Sequence, residues 1–305
     1  LLNAAILEFE SNGLSNLEYE VINRIATSSV ALGKQEKLVQ AYSAALISES
    51  EKNKNIVALD ADLILDTGLI PFKDKFPDRF IECGIAEQDM VSIAGGMALN
   101  GILPIVHSFS CFLSSRPNEQ MYNNSTEGTK IIYVGSLSGL LPAGPGHSHQ
   151  AVRDIASVSS IPGLIVVEPS NELETKRVVE WAINKSETSV YIRLVSVPIE
   201  LPYKVKDLQI EFGRGTFIKK GVDLLIISYG PIFLRNAYIV ALEIEEKFNI
   251  SVGVLNIPWL NQIDEFWLSK NINQFKNIVV IDNHYYDGGL GQRIGAIFNK
   301  LKIDK

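Results

Sequence analysis

The sequence predicts an α/β protein made of two doubly wound, mostly parallel sheets, the second smaller than the first. Three observations carry this. Short β-branched runs at 56–59, 104–108, 130–134, 163–167 and 190–194 alternate with helical-period stretches at 37–50, 87–99, 152–159 and 172–185. Strands that read as continuous apolar runs between helices belong to βα units, with the sheet covered on both faces. The pattern breaks at 196–213, where two prolines and many charges show no sustained period, and this stretch reads as a linker. It then resumes with strands at 222–228, 251–256 and 277–281, helices at 234–248 and 265–273, and a last helix after Gly288. The chain of 305 residues, 46% hydrophobic and 21% charged, has material for two cores of common size. The expected division is a first domain over 35–195, the linker over 196–213 and a second domain over 214–305. Residues 1–34 read as a helical arm or the remnant of a preceding region.

Composition narrows the function. With 28 Lys plus Arg against 35 Asp plus Glu, the formal charge is -7, and no basic cluster offers a surface for nucleic acid or an anionic membrane. Small metabolites are the expected ligands. Segment 90–113 is apolar, yet it carries Gly95, Gly96, Asn100, Gly101, Pro104 and His107, which suit a helix, a turn and a buried strand better than a bilayer span. Only Cys83 and Cys111 occur, too few for a disulfide framework, and the first residues lack a basic start and a small-residue cleavage site. A reducing, cytoplasmic location is expected. The chain begins without methionine, as a fragment or processed chain would.

Three segments carry the chemistry. Glu82-Cys-Gly-Ile-Ala-Glu87-Gln88 runs from a strand end into a helix and puts Glu87 in the first turn, where helix-end electrostatics alone would favour a carboxylate. Pro104-Ile-Val-His-Ser-Phe109-Ser-Cys-Phe112 places two rings at i and i+3 just after a strand. They can present two faces to one planar ligand, at about 1 kcal/mol per stacking contact, or simply fill the core. Ala143-Gly-Pro-Gly-His147-Ser-His149-Gln150 sets two of the four histidines in a glycine loop before a helix. Glycines let backbone approach a ligand, and a histidine there can bond a substrate oxygen or move its proton; a solvated turn is the plain alternative. No third ligand lies near this pair in sequence, so metal binding by it is not expected.

These segments resemble, in order, those of transketolases and 1-deoxyxylulose-phosphate synthases, and the resemblance spans about 36–300. It implies the thiamine-diphosphate pyrimidine-binding fold followed by the transketolase C-terminal domain. It also implies that Glu87 activates thiamine diphosphate by hydrogen-bonding a ring nitrogen of its aminopyrimidine, with Phe109 and Phe112 stacking on that ring. His149 matches the family's loop histidine, and His147 beside it is a further candidate substrate contact. Asp60-Ala-Asp62-Leu63 is similar to the family's Ala-Asp-Leu segment, placing Asp62 and Leu63 by the cofactor. Ile281-Asp-Asn-His284-Tyr-Tyr-Asp-Gly288-Gly-Leu-Gly291 is similar to the opening of the family's last helix.

The groups that read a sugar phosphate in transketolases are changed. Pro145, Leu137, Asp66 and Ser115 stand where the family has an acidic residue, a histidine, a phosphate-contacting serine and an aromatic. Arg193 matches a phosphate-binding arginine, with a structural salt bridge as its alternative, and Arg116 is a candidate replacement for a lost anion contact. The expected activity is therefore transfer of a two-carbon ketol unit to an unusual sugar acceptor. No Gly-Asp-Gly occurs in the sequence. The family resemblance assigns that segment, with a following Asn, to the Mg2+ ion and the diphosphate. Both are expected on a partner chain or on a part of the polypeptide outside this sequence, within an assembly of two large and two small subunits. Two rival readings are the beta subunit of a 2-oxo-acid dehydrogenase and a non-catalytic scaffold or regulatory subunit.

Overall fold

The computed structural model describes residues 34–205 and 210–303. The expected arm over 1–34 thus lies, Lys34 apart, outside the described residues. Six parallel strands form the larger sheet: β2 (Ile56–Asp60), β3 (Phe80–Glu82), β4 (Leu103–Phe109), β5 (Ile132–Ser136), β6 (Ile165–Val167) and β7 (Val190–Arg193), in the order β3-β2-β4-β5-β7-β6. Alternate side chains serve opposite faces. Leu59, Val106, Tyr133, Val166 and Tyr191 pack with Met90 and Ala94 on one side; Ala58, Ile105, Ile132, Val134 and Ile192 pack with Leu38, Tyr42, Val178 and Ala182 on the other. Both faces are covered, which is why these strands read as unbroken apolar runs.

The smaller sheet comprises β9 (Thr216–Lys219), β10 (Leu224–Ser228), β11 (Val252–Asn256) and β12 (Asn277–Val280), ordered β12-β10-β11-β9, with only β9 antiparallel. Ile226, Val252 and Val254 face Leu234, Ala237 and Ala241 of the helix Pro231–Phe248. The segment that follows β11 also closes the edge of the larger sheet. Glu168 N–H donates to Pro258 O at 3.0 Å and Leu260 N–H to Val166 O at 2.8 Å. Asn261 accepts from Val166 N–H at 2.9 Å and donates to Leu164 O at 2.7 Å. The exposed edge that β6 would present is thereby paired.

The apolar segment 90–113 is the end of the helix Glu87–Leu99, a turn, β4 and the single helical turn Ser110–Leu113. Among the described residues no helix is long and apolar enough to cross a membrane. Short elements escaped the sequence reading: β9 and the helices Ile64–Thr67, Ile70–Lys75 and Asn118–Thr126, while of β3 only its end at Glu82 was read. Three to nine residues give a period too little room to declare itself. Among the described residues of the stretch read as a linker lies the strand β8 (Ile199–Glu200), paired antiparallel with β1 (Gln35–Glu36). A two-residue pair has no periodicity to read.

Candidate active site

From β2 the chain steps outward to β3, then returns past β2 to β4, so the topological switch point lies between β2 and β4. Ligands of open α/β sheets bind at the carboxyl ends of the strands flanking such a point. Asp62 and Leu63 follow β2, and Phe109 ends β4. Glu87 follows β3 at the head of the helix Glu87–Leu99. The register sets these ends level, with Asp60 beside Glu82 on one side and His107 on the other.

The loops at this edge are tied together. Glu82 Oε1 accepts from Asp62 N–H at 2.8 Å and from Gly84 N–H at 2.9 Å, joining the β2 and β3 loops. Gly84 has φ +68°, a left-handed conformation in which a side chain would be strained. Asp62 takes φ 62° with its side chain exposed. Beneath it the buried Asp60 accepts from Leu63 N–H at 2.6 Å and from Thr67 Oγ1 at 2.8 Å, and burial pushes its carboxyl up to about 6. Under β4, His107 meets Tyr42 Oη at 2.5 Å and Leu59 O at 3.0 Å. Burial pushes its imidazole down to about 4, so a neutral ring props the strand that carries Phe109.

Glu87 is 3% exposed and lies at the wall of an open depression of about 770 Å³, lined also by Ile85, Gln88, Asp89, Ser92 and Arg116. Its Oε1 forms a tight ion pair with Arg116 Nη1 and lies 3.5 Å from Ser108 Oγ. The turn Ser110–Leu113 places Phe112 beside Phe109, with ring centroids 5.8 Å apart. The His149 ring stands edge-on to both, at 5.9 Å from Phe109 and 5.1 Å from Phe112. Ser148 Oγ is 3.0 Å from His149 Nδ1. The Arg116 guanidinium carbon lies 3.8 Å from the Phe112 ring centroid. Glu87, Phe109, Phe112, His149 and Arg116 thus form one contiguous cluster, although they come from three separate loops.

The other predicted residues are placed differently. His147 is exposed at the start of the short turn that ends at His149. Asp62 and Leu63 stand across the switch point from the rings. Arg193 requires a correction: it is fully buried, not facing a substrate. Its guanidinium donates to both Asp154 oxygens at 2.8 and 3.0 Å, to Glu168, and to Ala151 O at 3.1 Å. A group closed to solvent on these partners cannot reach a phosphate, so the salt-bridge alternative describes it. Arg116 also differs from expectation, since its charge is turned onto Glu87.

Sequence reasoning missed the support of the histidine loop. Leu140 N–H donates to Asn283 Oδ1 at 3.0 Å, Tyr285 N–H to Val152 O at 2.7 Å, and Ala156 N–H to His284 Nε2 at 3.2 Å. The segment 281–291, legible only as the opening of a helix, is a brace from the second domain. Ser108 beside Glu87 was missed too, because a serine in an apolar strand gives no signal of its own. Among the described residues no group of three or more His, Cys, Asp or Glu is placed to hold a metal ion.

Comparison with known proteins agrees with this architecture. Residues 35–196 match the transketolase pyrimidine-binding domain, and 213–305 match the transketolase C-terminal domain. The chain belongs to the transketolase family. A putative uncharacterized transketolase family protein of Sinorhizobium fredii is 34% identical over 92% of this chain and 82% of its own length. A putative transketolase C-terminal section of Methanocaldococcus jannaschii is 31% identical over 90% of this chain and 85% of its own. The 1-deoxy-D-xylulose-5-phosphate synthase of Halothermothrix orenii is 28% identical over 86% of this chain, which spans 41% of the synthase. Among solved structures, a split gene transketolase, described as an inactive beta4 tetramer, superposes with TM-score 0.77 at 28% identity, over 88% of this chain and 86% of that one. This transketolase-family chain thus corresponds in extent to the C-terminal section of the family's enzymes, with the Glu87 cluster inside its pyrimidine-binding domain.

Proposed function

We propose that this chain is the pyrimidine-binding half of a thiamine-diphosphate-dependent transferase. It moves a two-carbon ketol unit and works only with a diphosphate-binding domain carried on a separate chain. The observation that carries the reading is the Glu87 cluster: a buried carboxylate, two phenyl rings and a histidine at the switch point of a transketolase-family sheet.

The residues fit the cofactor's aminopyrimidine on an internal observation. A planar, N–H-bearing group, the Arg116 guanidinium, already lies between the Glu87 carboxylate and the Phe112 face, so the cleft accepts that shape and that donor pattern. Thiamine diphosphate supplies, when bound, an activated carbon that carries the ketol unit. This chain's part is narrower. Glu87 presents Oε1 at the wall of the cleft with little solvent exposure, where a carboxyl group can pass a proton to or from a bound ring nitrogen as general acid and base. Phe109 and Phe112 exclude water and orient a flat ring. His149, half-buried at their edge with Ser148 at Nδ1, can donate to or accept from a substrate oxygen.

The acceptor is proposed to differ from the usual sugar phosphates. Pro145 and Asp66 are exposed and Leu137 is buried, and none of the three side chains can donate a hydrogen bond to a phosphate. With Arg193 withdrawn into the core and Arg116 turned onto Glu87, both arginines expected to contact an anion are engaged by carboxylates. The Mg2+ ion and the diphosphate are assigned to the partner domain. The sequence holds no Gly-Asp-Gly, and the Methanocaldococcus relative bears the name of a C-terminal section.

The test is to purify the chain from its native source by an affinity tag and identify what travels with it by mass spectrometry. The expected result is a second chain containing Gly-Asp-Gly, in equal amount, with thiamine diphosphate bound. Recovery of this chain alone and free of cofactor would overturn the reading in favour of a scaffold.

A further inference from the structure

We infer that Arg116 is an internal placeholder for the aminopyrimidine, occupying its place in the free chain and leaving when the cofactor binds. The inference rests on the proposed function and adds to it a competition between cofactor and side chain.

Two contacts define the pyrimidine place in that reading: a hydrogen bond to the Glu87 carboxylate and a stacked aromatic face. Arg116 makes both. Its Nη1 is on Glu87 Oε1, and its guanidinium lies 3.8 Å from the Phe112 centroid. The local chain aims it there: Arg116 N–H donates to Phe112 O at 2.8 Å, so one helical turn folds the side chain back over the ring four residues earlier. Arginine suits the task because its guanidinium is flat, always charged and stacks on aromatic faces, whereas lysine offers a round ammonium. A second planar group cannot stack on the same ring face while the guanidinium covers it.

The arrangement also has a physical reason in the free chain. A carboxylate 3% exposed is costly without a partner, and the guanidinium supplies one until another donor arrives. The Arg116 side chain remains 39% exposed at the rim, so it can move without unpacking the core. Asp89, an exposed carboxylate lining the same depression, can receive the displaced charge.

A competitor that fills a site lowers apparent affinity by the fraction of time the site is free. Removing it should raise affinity. The measurement is isothermal titration of thiamine diphosphate, with Mg2+, into the complex of this chain with its diphosphate-binding partner. Wild type, Arg116→Ala and Arg116→Gln are compared, and thermal unfolding of each variant confirms that it is folded. The expected result is binding about tenfold tighter for Arg116→Ala, with Arg116→Gln between it and wild type. Equal or weaker binding by both folded variants, while wild type binds, would overturn the placeholder and leave the proposed function standing. Failure of the wild-type complex to bind would remove the proposed function and the placeholder together.

Discussion

Replacing Glu87 by Ala or Gln in the assembled enzyme is expected to lower turnover by about two to four orders of magnitude, the range for loss of a positioned acid–base group. The two variants separate two roles of the carboxyl. Glutamine keeps its shape and can still bond Ser108 and Arg116, but it cannot hold or release a proton at that position. If proton handling is the contribution, both variants fall together. If Glu87 only fills space and pairs with Arg116, glutamine should retain most of the rate. The change is expected in kcat, with protein stability nearly constant for Glu87→Gln, because the packing around it is preserved. Turnover within threefold of wild type for both variants would remove Glu87 from the chemistry and favour a scaffold.

A second large effect is expected far from the cleft. Arg193→Met should destabilise the fold by about 3–5 kcal/mol, the cost of breaking a buried ion pair by removing one partner. Arg193 is fully buried against Asp154 and Glu168, also buried, and its loss leaves two carboxylates facing each other without a cation. The cluster ties β7 to the start of the helix Asp154–Ser159 and to the residue after β6. Chemical denaturation reads this as a fall in the unfolding midpoint at unchanged slope. Replacing all three charges, with Asp154→Asn and Glu168→Gln added to Arg193→Met, should recover part of the loss, because the like-charge repulsion goes with them. A midpoint within experimental error of wild type for Arg193→Met would show that the charges are solvated in solution and return Arg193 to the candidates for substrate binding.

Much of this was legible in the sequence, for reasons that differ by element. Ile56–Asp60, Leu103–Phe109 and Val190–Arg193 are buried on both faces, so β-branched runs marked them. Edge strands such as Phe80–Glu82 and Thr216–Lys219 are short and half-exposed, and they left no such run. At the site, Glu87, Phe109 and Phe112 stood out because each sits at or just after a strand end, and His149 because it shares a glycine loop with His147. Their meeting in one cluster depends on the order of strands in the sheet, which no local window contains. Arg193 shows the converse. A charged residue at a strand end reads equally as ligand contact or buried tie, and only the carboxylates Asp154 and Glu168, brought in from distant sequence, decide between them. Arg116 was recognised as a cation near the cleft, but its target came from the turn Ser110–Leu113, too short to be read.

On the proposed function, the site is half built on this chain and completed by another. The most direct measurement is the dissociation constant of thiamine diphosphate, in the presence of Mg2+, for the chain alone and for the chain mixed with the Gly-Asp-Gly partner. Negligible binding is expected for the chain alone at concentrations where the mixture saturates, with the mixture binding one cofactor per pair of chains. Equal affinity in the two samples, or saturation of neither, would contradict the proposed function.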